Sequence, residues 1–302
     1  MGQPLVAVVG STNLDLVFVS ANLPRPGETL LGGDFATHPG GKGGNQAVAI
    51  AKLGGNVSFV GCIGNDANGS VLRASLESAG VQTDSLIVDE SKPSGTAAIL
   101  VDDKGSNMIV VAPGSNRSLS AEHVRQAYAK QTPTVALAQL EIHLDTVLAA
   151  AEADLFVLNP APACELPEGL LAKCHVITPN ETETESLTGV NPTDDESCRA
   201  ASCVLLDLGV KNVVITLGDR GSYWATPAGG KHFAPPVVKA IDTTAAGDAF
   251  SGALAWFLAE GREFGNAITL ANCVGALSTT KAGAQASMPD LEALKQLAGD
   301  LY

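Results

Sequence analysis

The sequence predicts an α/β fold: a mostly parallel sheet packed with helices, and a small second sheet as a lid. Three observations carry that expectation. From residue 57 onward, short apolar runs alternate with helical patterns, which argues for βαβ units. Two hairpin-like excursions, at about 15–36 and 95–112, break into the alternation with no linkers around them. Residues 1–302 therefore read as one unit. The composition is 45% hydrophobic, 17% charged and only 4% aromatic, with 32 glycines, which suits helices lying close on a sheet.

The formal net charge is −14 and the pI about 4.7. No basic face is visible, which argues against a nucleic-acid partner. The same acidity opposes anionic ligands, so a phosphate site has to be local, built from backbone N–H groups and a few lysines or a metal. No apolar run reaches the roughly 18 residues of a membrane span, and no basic segment leads into an apolar one at the N-terminus. The expectation is a cytoplasmic protein without membrane contact. Cysteines at 62, 164, 174, 198, 203 and 273 form no CxxC pair and read as reduced thiols, with Cys62 and Cys273 in the core.

Residues 5–9 are an uninterrupted apolar run ended by Gly10, the pattern of a strand buried on both faces. In open α/β sheets ligands sit beyond the carboxyl ends of strands. Here that end carries Asn13 and Asp15, two residues apart in an extended segment and so pointing the same way. An amide beside a carboxylate suits adjacent sugar hydroxyls; an Asx turn is the plainer alternative. The excursions that follow could cover this site, serve as a sheet edge in dimerisation, or do both.

Between the excursions lies Gly40-Gly41-Lys42-Gly43-Gly44-Asn45-Gln46, ahead of a helix expected over 47–53 and stopped by Gly54. Gly43 stands where a Walker loop has Ser or Thr, and no strand is expected directly before it, so it does not read as one. It offers bare backbone N–H groups with Lys42 and Asn45 beside them; a flexible turn is the alternative. Strands are then expected over 57–61, 134–140 (leading to Glu141), 155–158, 176–178 and 213–217. Helices are expected over 69–79, 197–208, 249–258 and 267–280. Asn180 and Glu183 follow one strand end, where they could cap a helix or order magnesium around a triphosphate. Another strand runs into Thr216-Leu217-Gly218-Asp219-Arg220-Gly221, either a glycine turn backing a nucleotide or a plain hairpin turn.

The chain is organised around Asp242-Thr243-Thr244-Ala245-Ala246-Gly247-Asp248, which ends an extended apolar run and opens a long helical pattern. Small residues at 245–247 allow a tight bend and close approach of a ligand. The first N–H groups of the helix then favour an anion. Asp248 is placed either to take a proton from an attacking hydroxyl or to cap the helix.

Taken in order, Asn13-x-Asp15, the 40–46 loop, Asn159-Pro160-Ala161-Pro162, Asn180-x-x-Glu183, Thr216-Leu217-Gly218 and the 242–248 motif make the chain resemble the ribokinase (phosphofructokinase-B-type) family of carbohydrate kinases over about residues 5–290. The resemblance implies a three-layer α/β/α fold and ATP-dependent phosphorylation of D-ribose at O5. It implies that Asn13, Asp15, Gly41, Lys42, Gly43, Asn45 and Glu141 hold the pentose, with Asp248 as general base. Ala245, Ala246 and Gly247 would form the anion hole. Asn180, the 216–221 segment (Thr216, Leu217, Gly218, Asp219, Arg220 and Gly221), Gly247 and Asn272 would lie along ATP, with Glu183 near Mg2+. A K+ ion would match Asp242, Thr244, Ser278, Lys281, Gly283 and Ser287, and a homodimer would form through the lid strands. Two positions depart from the family. Asn272 stands where a histidine often lies near adenine, and residues 145–154 are short for a crossover helix. A kinase of 2-deoxyribose, another sugar or a nucleoside is the nearest alternative, and a non-catalytic sugar binder a remoter one.

Overall fold

In the computed structural model, which describes residues 3–302, the strands form two sheets. They are β1 (Val6–Val9), β2 (Asn13–Ser20), β3 (Phe35–Gly40), β4 (Val57–Gly64), β5 (Leu86–Asp89), β6 (Gly95–Asp102), β7 (Asn107–Ala112), β8 (Val135–Ala138), β9 (Phe156–Leu158), β10 (Val176–Ile177), β11 (Asn212–Thr216), β12 (Ser222–Thr226) and β13 (Gly229–Phe233). The central sheet has the order β13-β12-β11-β10-β9-β8-β1-β4-β5. Its strands are parallel from β11 to β5, and the β11–β12–β13 end is an antiparallel meander.

The helices are α1 (Lys42–Lys52), α2 (Ala67–Ser78), α3 (Ala121–Lys130), α4 (Leu144–Ala150), α5 (Leu170–Lys173), α6 (Glu181–Thr188), α7 (Asp195–Asp207), α8 (Ala246–Ala259), α9 (Phe264–Ser278) and α10 (Leu291–Ala298). Successive strand residues face opposite sides, and the two apolar cores follow that alternation. Val6, Val8, Val57, Phe59, Val135 and Leu137 pack against α1, α2, α8, α9 and α10. Val9, Val60, Ala136, Ala138, Phe156 and Ile215 pack against α3, α4 and α7 on the other side. The result is a three-layer α/β/α arrangement.

The lid sheet has the order β3-β2-β6-β7, β2 lying parallel to β6 and the other pairs antiparallel. One face of β2 sends Leu14 into the main core, with Leu16 packed beside it. The opposite face carries Asn13 and Asp15.

Several boundaries differ from those read in the sequence. β3 runs to Gly40, so a strand does end directly before the glycine loop, and α1 begins at Lys42, five residues earlier than the expected 47. Gly43 and Gly44 are poor helix formers, which hid this first turn. Gly41, at φ 81°, makes the turn between strand and helix. The 134–140 strand is confined to β8, so Glu141 lies in the loop beyond it. Asp242 ends no strand. The consecutive Pro235 and Pro236 stop the β13 ladder at Phe233, and Val237 and Ile241 lie exposed on the irregular segment that follows. Among the described residues no helix is long and apolar enough to cross a membrane. All six cysteines are free thiols, with Cys62 and Cys273 buried.

Candidate active site

The site lies beyond the carboxyl ends of β8, β1 and β10, where the first turns of α1 and α8 meet through Asn45, Gln46 and Asp248. Ala245, at φ 61° and ψ 15°, holds the left-handed conformation that launches α8 and costs a non-glycine residue about 1–2 kcal/mol. Ala246 N–H donates to Thr243 O at 3.2 Å. The N–H groups of Ala245, Gly247 and Asp248 have no acceptor among the described residues. They form a preorganised donor set at a helix N-terminus.

Asp248 does not cap the helix, in contrast to one sequence reading. Position 245 is the N-cap and makes no side-chain cap. The Asp248 carboxylate instead turns inward, 7% exposed. Its Oδ2 accepts from Asn45 Nδ2 at 2.9 Å and its Oδ1 from Gln46 Nε2 at 2.9 Å. Burial pushes its pKa up; the Lys42 charge and the two amide donors pull the other way without cancelling that effect. Burial alone would lower the Lys42 ammonium, but Asp248, Glu141 and Glu183 raise it, and the net shift is upward. Lys42 is therefore a charged group set among three carboxylates.

Glu141 Oε2 accepts from Ser11 Oγ and from the Lys42 backbone N–H, at 3.2 Å for the latter. It thus fastens the start of α1 to the end of β1. Asn13 Oδ1 accepts from Asn116 Nδ2 at 2.8 Å, while Asn116 Oδ1 accepts from the Thr12 N–H at 3.0 Å. That pairing fixes the Asn13 amide with its NH2 left to donate. Asp15 lies over Gly40, where a Cβ would stand 2.2 Å from Oδ2. Burial first, and the Glu141 charge second, raise Asp15 to about 7.

One pH dependence follows. A carboxylate at Asp15 accepts hydroxyl protons on both oxygens, and the protonated acid loses part of that capacity. If Asp15 holds the sugar that the sequence resemblance implies, affinity for it measured calorimetrically without nucleotide should weaken as pH falls through about 7. The Asp15→Asn variant should lose the pH dependence. A flat wild-type affinity across that pH would remove Asp15 from the sugar contact. For stability the sign is opposite: a carboxyl raised in the folded state binds its proton more readily than in the unfolded chain. Its contribution is therefore lost as pH rises from about 4 toward about 7.

Other sequence candidates fall into two further groups. Asn180 and Glu183 form a reciprocal capping box on α6, with Glu183 N–H to Asn180 Oδ1 at 2.8 Å and Asn180 N–H to Glu183 Oε2 at 3.0 Å. The capping role is thus real, and Glu183 stays close enough to Lys42 to act on its charge. Residues 216–221 turn β11 into β12, with Gly218 at φ 59° and Gly221 at φ 89°. Arg220 does not reach outward: its guanidinium donates to Thr193 O at 2.6 Å and Pro192 O at 3.1 Å, and pairs with Glu181. Asn272 spends its amide protons on Ser222 Oγ at 3.0 Å and Phe233 O at 3.3 Å, tying α9 to the same hairpin. On this turn Asp219 is exposed, while Arg220 is folded back.

Behind the α8 turn, Asp242 bridges two segments. Its Oδ1 accepts from Thr244 N–H at 2.9 Å and from Thr244 Oγ1 at 2.6 Å, and its Oδ2 from Gly283 N–H at 2.8 Å. Burial opposes ionisation there, but these donors prevail and hold Asp242 below the usual carboxylate range. Ser278 and Ser287 turn their hydroxyls onto Gly275 O and Ala284 O, both at 2.8 Å. Lys281 is exposed. Among the described residues no group of three or more His, Cys, Asp or Glu forms a metal cluster.

A model of the pfkB family carbohydrate kinases matches residues 3–291. The chain belongs to that family. As a pfkB family member it is a phosphotransferase, and the buried carboxylate beside free N–H donors is consistent with that chemistry. A ribokinase of Haemophilus influenzae is 40% identical over 290 residues, covering 94% of this chain and 95% of its own. A deoxyribokinase of Salmonella typhi is 37% identical over 295 residues, covering 95% and 96%. The solved structure of an Arabidopsis thaliana ribokinase complexed with ribose and ATP superposes with a TM-score of 0.89 at 30% identity, covering 99% of each chain.

The sequence reading missed the supports of this pfkB site. Asn116, Ser11, Gln139 and the roles of Gln46 and Asn159 emerge only from the fold. Gln46 and Asn159 stand inside quoted motifs, so a signal was present for them; Asn116 and Gln139 carry none.

Proposed function

We propose that the chain transfers the γ-phosphoryl group of ATP to O5 of D-ribose, giving D-ribose 5-phosphate and ADP. The observation that carries this reading is the buried Asp248 carboxylate next to acceptor-free N–H groups at the α8 N-terminus. Transfer to an alcohol depends mainly on positioning and on stabilising charge over the transferred oxygens. In this reading Asn13, Asp15, Asn45 and Glu141 hold the pentose, with Gly41 and Gly43 allowing the backbone close to it. Lys42 offsets charge between sugar and phosphate. Asp248 takes the O5 proton as the oxygen attacks phosphorus, and the N–H groups of Ala245 and Gly247 receive the developing charge. ATP lies along Asn180, Asn272 and the 216–221 turn, in contact chiefly with backbone. The ribose- and ATP-bound Arabidopsis relative supports both ligands.

The donor set fits the two ions unequally. Glu183 offers one carboxylate and no cage, so Mg2+ would be held mainly by phosphate oxygens and water, neutralising phosphate charge when bound. Asp242 and the 278–287 loop meet through the Gly283 N–H, and with the Thr244, Ser278 and Ser287 hydroxyls they would supply oxygens to K+, which would stiffen the turn launching α8. The lid supports a homodimer. The edge strand β7 exposes Met108, Ile109, Val110 and Val111, and toward the opposite edge of the same sheet Phe18 and Phe35 lie tilted against each other at 4.8 Å. Light scattering tests that.

A second reading, 2-deoxyribose as substrate, is favoured by the near-equal identity to the Salmonella typhi deoxyribokinase. ADP release measured with ribose, 2-deoxyribose, fructose and adenosine, with and without K+, separates the readings. Ribose is expected to give the highest kcat/KM. Turnover of adenosine but not ribose would sink the proposal, and indifference to K+ would remove only the cation.

A further inference from the structure

Three strands adjacent in the sheet, β8, β9 and β10, are each followed directly by a buried polar residue: Gln139, Asn159 and Thr178. Above them Gln46 projects from α1, wholly buried, where Gly252 lets α8 approach so closely that a Cβ there would lie 2.7 Å from Gln46 O. These groups make one chain of hydrogen bonds. Gln139 Nε2 donates to Gln46 Oε1. Gln46 Nε2 donates both to Asp248 Oδ1 at 2.9 Å and to Asn159 Oδ1 at 3.0 Å. Asn159 Nδ2 donates to the Thr178 backbone carbonyl at 3.0 Å.

The polarity of that chain is not arbitrary. A backbone carbonyl can only accept, so Asn159 must turn its NH2 toward Thr178 and its oxygen toward Gln46. Gln46 must then present its NH2 to Asn159, and the same NH2 reaches Asp248. Its oxygen is left facing Gln139, which has to answer with NH2. Gln139 Oε1 is consequently buried without a partner. Reversing Gln139 would set its oxygen against the Gln46 oxygen and satisfy neither. An orphaned buried acceptor calls for a reason, and the direction of the chain supplies one.

We propose that Gln46, oriented by Asn159 and Gln139, is a positioning residue that holds the Asp248 carboxylate ionised and aimed with its other oxygen at the acceptor hydroxyl. This rests on Asp248 being the base. An amide locked as a donor stabilises the carboxylate and has nothing to offer the neutral acid's proton. Without it, burial prevails further and the base is protonated at higher pH. The charged groups around Asp248 are Lys42 on α1, Glu141 beyond β8 and Glu183 on α6, and none belongs to the amide chain. Asn45 donates to the other oxygen, which keeps a second lone pair for the hydroxyl, so the two neighbouring amides divide the work.

The test is the pH profile of kcat for Gln46→Met and the isosteric Gln46→Glu, each also made with Asp248→Asn. Gln46→Met should lower kcat by about 10–100-fold, by analogy with the loss when a partner orienting a metal ligand is removed, with KM for ribose unchanged. The acid limb, where kcat falls on protonation of the base, should move to higher pH, and further in Gln46→Glu, where two carboxyls share a site. In the Asp248→Asn background neither change should lower the residual turnover again. Asn159→Leu and Gln139→Leu, which touch no reacting group, should shift the limb in the same direction by less. An unmoved acid limb in Gln46→Glu, or losses that simply multiply with Asp248→Asn, would overturn the proposal and leave Asp248 as the base. Near-normal turnover of Asp248→Asn alone would instead remove the base itself.

Discussion

Asp248→Asn is expected to bind ribose nearly as well as the native chain while its turnover falls by at least about 10²–10⁴-fold, the usual worth of positioned proton transfer. The substitution keeps the shape and removes the basic lone pair. The proposed sugar contacts from Asn13, Asp15 and Glu141 are untouched, so affinity measured without ATP should survive. Stability is pulled in two directions. The carboxylate is buried and its pKa raised, so a neutral amide relieves a desolvation cost. Yet Asn45 and Gln46 both donate to this side chain, and an amide offers only one oxygen. One donor is left facing an NH2, at a cost of about 1–3 kcal/mol. The melting temperature should therefore move little while kcat collapses. The native enzyme should also show kcat rising with pH up to the Asp248 pKa, because only the ionised form accepts the proton. ADP release at saturating ribose checks both statements.

Much of the fold was legible because it rests on local signals. Strands such as 5–9 and 213–217 are apolar without interruption, and buried parallel strands have to be. What sequence reading misplaced was set by long-range contacts. α1 could not be seen to start at Lys42, because Gly43 and Gly44 have low helix propensity. They are tolerated there because a Cβ at 43 would lie 2.8–2.9 Å from the backbone of Gly10 and Ser11. The close approach of α1 to β1 demanded glycine and thereby erased the helical pattern.

The site divides the same way. Asn13, Asp15, Asn45 and Asp248 were singled out from their residue types and from the ends of elements on which they sit. Asn13 and Asp248 lie more than 200 positions apart in sequence, and only the fold brings α8 against β1, which leads into Asn13 at the start of β2. The supports were illegible for a different reason. A glutamine such as Gln139 at a strand end looks like any polar loop residue until its amide is seen to set the direction of its neighbours. The Asp242 carboxylate shows both halves at once. Its link to Thr244 is a local turn, whereas its bond to Gly283 spans 41 residues and could not be read from spacing.

The second large effect is expected at two glycines that look alike in sequence and differ physically. Gly41 has φ 81°, and a Cβ there would lie 2.7 Å from Asn13 N and from Thr12 Cα, both backbone atoms of the β2 entrance. Gly41→Ala thus meets backbone strain of about 1–3 kcal/mol and overpacking of about 1–3 kcal/mol, and neither can be relieved without moving Asn13. The variant should melt several degrees lower, at no more than about 2–4 °C per kcal/mol in a chain of this size, and its KM for ribose should rise steeply. Gly247 has no positive φ and nothing within 4 Å of a Cβ. In the first turn of α8 alanine is the better helix former, by up to about 1 kcal/mol. Gly247→Ala should therefore melt at the native temperature or above it. The added methyl group, however, enters the space in front of the free N–H donors, where the transferred phosphoryl group would pass. A displacement on the order of 1 Å there costs about 10²-fold in turnover. A stable Gly247→Ala protein with lowered kcat, beside an unstable Gly41→Ala protein with raised KM, separates the glycine kept for chemistry from the one kept for the fold. Full turnover by Gly247→Ala would show that the α8 N-terminus is not where phosphate charge is held.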